Sequence, residues 1–483
     1  MYTFIAAIII LVLGYIFYGR FVERVFGIDP QRTTPAIEKT DGVDYVPLPA
    51  WRIFLIQFLN IAGLGPIFGA IMGIKYGSAA FLWIVFGTIF AGGVHDYMSG
   101  MLSVRKGGLS LPEVVGQELG RPMGALMRVF SIVLLILLTT VFMMGPANLL
   151  QGLAPIGDSA TIWVLIVFAY YFLATMLPID KLIGHLYPLF GAALLFMAVG
   201  IGVMMFVKGA PLPEVFSKAD LQNHDPKGYP LFPMMFVSIA CGAISGFHGT
   251  QSPIMSRCIT NERQGRWIFY GAMVAEGVVA LIWAAAASSY WGSIDGLNNF
   301  LSSESGKAGA AAVVDVISRD WLGLVGGILA LIGVIACPIT SGDTALRSAR
   351  LIVADFLHLE QKTIWKRLLI AVPMAAVVYG LTKIDFDIVW RYFSWSNQTL
   401  AMLTLWTASI FLYKHKKAAC LICLLPALFM TMVSISYILI APEGVNLAPE
   451  HRWVGYVVAA GVTITLLLIF AFWTKKSKQQ HNI

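Results

Sequence analysis

Apolar residues fall into long runs separated by short polar segments. Thirteen runs reach spanning length, at approximately 2–19, 52–74, 78–104, 122–150, 159–178, 184–207, 230–257, 266–291, 321–350, 364–382, 390–413, 417–440 and 452–473. A membrane-spanning helix needs about 20 apolar residues, and backbone polar groups cannot go unpaired in lipid, so each run is predicted to be helical. The first run carries no positive charge ahead of it, whereas Arg20 and Arg24 follow it. A cleavable leader has the opposite order, so this run is expected to persist as a helix with its N-terminus outside. Segment 110–120 alternates Leu111, Val114, Val115 and Leu119 with Glu113, Gln117 and Glu118; such an amphipathic stretch is expected at the membrane surface. The longest external segments are 208–229 and 292–320, the second with a short surface helix expected over 308–318.

Composition agrees with the pattern. Of 483 residues, 58% are hydrophobic and 12% charged, about half the charged share of a soluble chain. A soluble enzyme, a disordered scaffold and a disulfide-stapled domain are excluded. The net charge of +7 does not point to nucleic acid, because Lys and Arg lie between apolar runs rather than in a patch. With the N-terminus outside, 24 of the 33 Lys and Arg residues fall on the cytoplasmic side, Lys181, Lys362, Lys476 and Lys478 among them. That asymmetry supports both the orientation and the span count, with the C-terminus cytoplasmic. Cys420 and Cys423 have CxxC spacing but no second pair, so a metal site is not expected. HExxH, P-loop and GxSxG motifs with partners are absent, so neither catalysis nor a cofactor is expected.

Two spans carry helix-breaking residues at membrane depth: Asn60 to Gly69, with Gly63, Gly65 and Pro66, and Cys241 to Pro253, with Ser245, His248, Gln251 and Ser252. Glycine and proline weaken a helix, and unwound backbone at membrane depth is tolerated only in protein or beside a cavity. The breaks open two five-span units, 52–207 and 230–413, joined by 208–229. Five is odd, so the second unit enters from the opposite side: an inverted repeat, in which paired broken helices point to a transporter's binding site. The remainder is an N-terminal helix (1–24), a cytoplasmic linker (25–51) and two C-terminal helices with a basic tail (414–483). The half-helix starting near Gly65 offers free N–H groups suited to a carboxylate.

Charges inside spans each cost at least about 2.5 kcal/mol. In the third span Gly92, Asp96, Ser99, Gly100 and Ser103 share a face, with His95 beside Asp96; this reads either as close packing with structural hydrogen bonds or as proton handling. In the ninth, Thr340, Asp343, Arg347 and Arg350 share a face. Asp343 either neutralises an arginine or carries a proton, and Thr340 and Ser341 are candidate Na+ ligands. His248, inside the second break, is expected to contact substrate or proton. Glu276, mid-span in the eighth helix, is a structural or a coupling carboxyl. The Trp395–Gln398 stretch, with Asn397, faces the cavity or a neighbouring helix.

At these motifs the sequence resembles the carbon starvation protein A family of bacterial membrane transporters. The matching stretches are Asp41-Gly-Val-Asp-Tyr-Val-Pro47, Ala62-Gly-Leu-Gly-Pro66, Gly93-Val-His-Asp-Tyr97, Cys241-Gly-Ala-Ile-Ser-Gly-Phe-His248, Glu276 to Ala284, Thr340 to Arg350 and Trp395-Ser-Asn-Gln398. The resemblance implies the two-repeat fold of the amino acid–polyamine–organocation superfamily, in a bacterial inner membrane. It implies uptake of pyruvate or peptides under nutrient limitation, coupled to H+ more readily than to Na+. The expectation is therefore an all-α polytopic membrane protein of about thirteen spans that takes up a small carboxylate-bearing nutrient. The alternatives are a nutrient sensor of transporter fold or a carrier of another small organic solute. The expected partners are a small-molecule substrate and the bilayer; nothing in the sequence sets an oligomeric state.

Overall fold

The computed structural model describes residues 1–42, 45–176, 180–357, 359 and 363–480. Residues 43 and 44 of the 41–47 motif and Lys362 lie outside the described residues, as do the side chains of Lys181, Lys476 and Lys478. Every regular element among the described residues is helical. Among the described residues, nine helices are long and apolar enough to cross a membrane, or ten when a pair bent by 45° counts as one span.

In chain order they are α1 (Tyr2–Phe26), the bent pair α2 (Ala50–Ile61) and α3 (Leu64–Ile74), α4 (Ala79–Arg105), the short α5 (Leu111–Leu119), α6 (Arg121–Leu153), α7 (Thr161–Met176) and α8 (Asp180–Val207). A second interrupted pair follows, α9 (Leu231–Ser238) and α10 (Gly246–Ser256). Then come α11 (Glu262–Tyr290), α12 (Ile294–Ser302), the long α13 (Ala310–Phe356), α14 (Ile364–Leu381), α15 (Phe386–Lys416), α16 (Leu421–Ile440) and α17 (Arg452–Gln480). The count by length and composition does not reach the expected thirteen. The halves of the second pair are too short to pass singly, α7 has only 16 residues, and α15 and α16 run on as one apolar stretch of 55 residues.

The connecting segments sort onto two faces. On one, Arg105 donates to Glu262 and to the Gly27 carbonyl, Asn261 donates to the Pro30 carbonyl, and Lys414 pairs with Glu118. On the other, the start of α1 is hooked to Glu214, the Ser78 N–H reaches the Asp220 carbonyl, and Asn298 donates to the carbonyls of Lys75 and His224. The start of α2 meets the end of α10 through the Leu48 N–H and the Cys258 carbonyl, whereas the end of α3 lies beside 224 through the His224 N–H and the Tyr76 carbonyl. The two broken pairs therefore run antiparallel.

Two expectations change. Helix α5 begins with a Ser110–Glu113 capping box, which satisfies N-terminal backbone donors. Its apolar residues Leu111, Val114 and Val115 are buried in protein rather than at a lipid surface, because α6 comes close enough that Gly116 and Gly124 touch. The segment 292–320 is mostly ordered helix: α12, then the first turns of α13, which kinks at Gly323.

Candidate functional site

The first break lies at Ala62–Gly63, just ahead of Gly65 and Pro66. Gly65 and Pro66 sit in the first turn of α3, where proline's missing N–H is one the helix would leave unpaired anyway. The second break spans 239–245, one step earlier in the chain than the motif suggests. His248 is thus not in the unwound stretch, as expected, but in the first turn of α10. The reason is tertiary: Asn397 of α15 caps the new helix. Its Oδ1 accepts from the Phe247 N–H at 2.7 Å and from Ser245 Oγ at 3.2 Å, and its Nδ2 donates to the Ala240 carbonyl at 3.0 Å. Thr88 Oγ1 donates to the Gly242 carbonyl at 3.1 Å. Unwound backbone in a dry interior must find partners, and these two side chains supply several of them.

The two breaks press against each other. A Cβ on Gly65 would lie 2.5 Å from Cys241 Cβ and Sγ, and one on Gly92 would lie 2.3 Å from the Ala243 carbonyl oxygen. Only glycine permits α3 and α4 to approach the second break this closely. The small-residue stripe on α4 thereby divides its labour. Gly92 admits backbone, and Ser99 Oγ meets Ser252 Oγ at 3.2 Å, while Ser252 itself donates to the His248 carbonyl. The Gly100 carbonyl accepts from Ser256, and Ser103 turns to the Leu109 carbonyl. This much is helix packing.

Asp96 is different. Its Oδ1 lies 2.8 Å from His95 Nδ1 and its Oδ2 lies 2.8 Å from His248 Nδ1. On the far side of the ring, His248 Nε2 lies 3.4 Å from Glu276 Oε2. All four side chains are 0% exposed. The line His95–Asp96–His248–Glu276 therefore joins α4, α10 and α11 beside the second break. With both Nδ1 atoms donating to Asp96, each Nε2 of a neutral imidazole is an acceptor. His248 Nε2 therefore sits as an acceptor beside the Glu276 carboxyl, at ion-pair distance but without a hydrogen bond between them among the described residues.

Three expected coupling residues, Asp96, His248 and Glu276, are brought together, and Asp343 is held elsewhere. Its carboxylate accepts from Tyr170 Oη at 2.9 Å and Thr344 Oγ1 at 3.0 Å. Ser341 Oγ reaches the Asn60 carbonyl of the first break at 3.3 Å, whereas Thr340 Oγ1 turns back on the Cys337 carbonyl. Gln251 is 1% exposed, and among the described residues neither polar atom of its amide has a hydrogen-bond partner; Gln57 on α2 is in the same condition. Gln57 and Thr88 escaped the sequence reading. A glutamine within an apolar run was the available signal for the first. Among the described residues no three His, Cys, Asp or Glu side chains are grouped to hold a metal ion.

On the basic face, outside the spans, Glu118 of α5 lies between Lys106 (2.9 Å) and Lys414 (2.7 Å). Burial pushes its carboxyl upward, but the hydrogen bonds and charges of Lys414 and Lys106 outweigh it and hold the pKa below the usual glutamate value.

Comparisons with known proteins agree with this architecture. A manganese transporter of Eremococcus coleocola superposes with a TM-score of 0.55 at 15% identity, over 91% of this chain and 99% of that one; a likeness this distant speaks for the fold alone. An uncharacterised membrane protein of Haemophilus influenzae is 42% identical over 366 residues, covering 66% of this chain and 99% of that one. The peptide transporter CstA of Campylobacter jejuni is 30% identical over 348 residues, 58% of this chain and 49% of its own length. The pyruvate/proton symporter BtsT of Escherichia coli is 29% identical over 352 residues, 60% and 49%. The match thus spans about half the length of each of these two transporters. The family model described as carbon starvation protein CstA matches residues 1–161 and 151–320. On that match the chain is a multi-pass membrane protein that belongs to the carbon starvation protein CstA family.

Proposed function

We propose that the protein is a secondary transporter that moves a small carboxylate-bearing nutrient, pyruvate or a short peptide, together with a proton. The observation that carries this reading is the fully buried line His95–Asp96–His248–Glu276 against the second break. Buried charges are costly unless paired. One imidazolium beside the Asp96 carboxylate, with Glu276 carrying a proton, is neutral overall. Moving that proton along the line changes what α4, α10 and α11 present to one another, which is what coupling requires. The names of the relatives, a peptide transporter and a pyruvate/proton symporter, support the same class.

In this reading the core is a five-plus-five inverted repeat, 52–207 and 230–413, within thirteen spans. The antiparallel broken pairs at the start of each unit support it. The face carrying Arg105, Lys106 and Lys414 is cytoplasmic, and the membrane is a bacterial inner membrane. Substrate carboxylate is taken by the N-terminal turn of α3 at Gly65 and Pro66, near Gly63, and by the region of Ser245 and His248 with Gln251 and Ser252. Asn397 serves that region by holding its backbone. Thr340 and Ser341 are the ligands of the competing Na+ reading.

The test is uptake of labelled pyruvate and L-alanyl-L-alanine into proteoliposomes under imposed H+ or Na+ gradients. Accumulation driven by an inward H+ gradient and abolished by a protonophore is expected. Accumulation that follows Na+ alone would overturn the proton assignment, and ligand binding with neither accumulation nor counterflow would make the protein a sensor.

A further inference from the structure

A cavity of ≈ 200 Å³ opens between the end of α3, the start of α9, the start of α15 and the 225–229 stretch. It lies on the face that carries 208–229, outside in the orientation proposed above. At about 30 Å³ per water it has room for roughly seven waters, the scale of a small solute. Five charged residues line it: Lys75, Lys227, Arg391, Asp225 and Asp387. Arg391 is already engaged, its Nε 3.1 Å from Glu443 Oε2. Asp225 Oδ2 accepts from the Tyr229 N–H at 2.8 Å, which leaves Oδ1 free of that bond. Lys75 Nζ lies 5.1 Å from the Tyr76 ring centroid and, among the described residues, has no carboxylate partner.

With Arg391 neutralised by Glu443, two ammonium groups and two carboxylates remain to face a ligand. An electroneutral set of fixed charges suits a ligand that is neutral overall and bears both signs. A monocarboxylate would satisfy an ammonium group and leave both carboxylates opposed to it. A molecule with a free ammonium and a free carboxylate satisfies one of each. Tyr76, Tyr229, Trp390 and Tyr437 also line the cavity, so its wall is aromatic as well as charged.

The cavity is separate from the buried relay. Lys75 is ten residues beyond Gly65, about 15 Å along a helix. Between the two lies a chain of packed rings. Trp390, on the cavity wall, lies 5.9 Å from Phe68 and 5.5 Å from Phe393; Phe393 lies 6.3 Å from Phe142, and Phe142 lies 6.4 Å from Phe247, the neighbour of His248. We propose that the cavity is an outer capture site for a zwitterion, a short peptide or amino acid with free ammonium and carboxylate groups, held above this aromatic layer before it reaches the relay. The proposal rests on the transporter reading and narrows its substrate class.

The test is calorimetric binding to the full-length protein in nanodiscs at pH 7, with L-alanyl-L-alanine, its N-acetyl derivative and pyruvate. The dipeptide is expected to bind about tenfold or more tighter than the other two, since one charge-assisted contact is worth about that factor. Asp387→Asn and Lys75→Gln should each weaken the dipeptide about tenfold, and Asp387→Asn should leave the N-acetyl form unaffected. Glu118→Gln, on the opposite face, should retain dipeptide binding. Equal affinity of wild-type protein for the dipeptide and its N-acetyl form overturns the capture site, as does binding of none of the three. So does dipeptide binding that survives both cavity variants. The transporter reading is judged separately, by proteoliposome accumulation and counterflow.

Discussion

Replacing Asp96 by Asn is nearly isosteric and strikes the centre of the relay. In the native arrangement each carboxylate oxygen accepts from one imidazole Nδ1 at 2.8 Å. An amide keeps one acceptor and turns the other into an NH2 that faces a donor. An orphaned buried donor costs about 1–3 kcal/mol, relieved in part if one imidazole changes tautomer. The larger effect is on charge. An imidazolium at His248 loses its carboxylate in a site that is 0% exposed. Removing one partner of a buried ion pair costs about 3–5 kcal/mol. At about 1.36 kcal/mol per tenfold change, that loss is worth roughly two to four decades in any step that passes through the charged pair. Accumulation of substrate driven by a pH gradient should therefore fall about 100-fold or more. Counterflow exchange, which needs no net proton transfer, should persist. Both are measured in the same proteoliposomes, with thermal unfolding in detergent as the control for folding. If Asp96→Asn accumulates substrate against its gradient as well as wild type does, the relay carries no proton and the reasoning is wrong.

The contact between the breaks is tested by Gly65→Ala. Its methyl meets Cys241 at 2.5 Å and should cost about 1–3 kcal/mol of stability; Gly65→Ala with Cys241→Gly should recover about 1 kcal/mol or more of coupling, whereas additive melting shifts would show that the breaks do not touch. Glu262 is 0% exposed and accepts from Arg105 Nε at 2.7 Å and Nη2 at 2.9 Å, so Glu262→Gln should lower stability by about 3 kcal/mol in thermal unfolding. The folded-state pKa of Glu118 is depressed by Lys414 and Lys106 acting against burial. Its stabilisation is therefore present above the ordinary glutamate pKa of about 4.3 and is lost as pH falls through the lower folded value. Wild type should melt above Glu118→Gln at pH 6 to 8, with the gap closing below about pH 4; a gap constant with pH counts against the pairing of Glu118 with Lys106 and Lys414. Replacing Na+ by choline at a fixed pH gradient should leave uptake unchanged, and a loss of uptake that Ser341→Ala abolishes would assign coupling to Na+.

Local chemistry made much of this protein legible in one dimension. Thirteen apolar runs announced helices because lipid leaves the backbone no other partner. Gly63, Gly65 and Pro66 and the Cys241–His248 stretch announced broken helices, because glycine and proline act on their own turn. Asp96, His248 and Glu276 stood out because a charge in an apolar run needs a reason. The sequence could not show that these three side chains meet, since 152 residues separate Asp96 from His248. Nor could it show that Asp343, equally conspicuous, is held by Tyr170 instead. The start of α10 was misplaced because it is decided by Asn397, from a helix far along the chain. Lys75 and Asp387 went unremarked at their span ends, where charge is ordinary.

The sequence by itself determined that the chain is built of apolar helices, which two of them are interrupted, and which ionisable groups lie among apolar neighbours. Each of these follows from the transfer energy or backbone preference of residues within a turn or two of one another. Only the tertiary structure decided which buried groups become partners, which glycines admit a neighbouring backbone, and which charged residues at span ends close around one cavity. Those depend on helix packing between distant parts of the chain, where a contact of a few ångströms fixes both the cost of a charge and the path open to a proton.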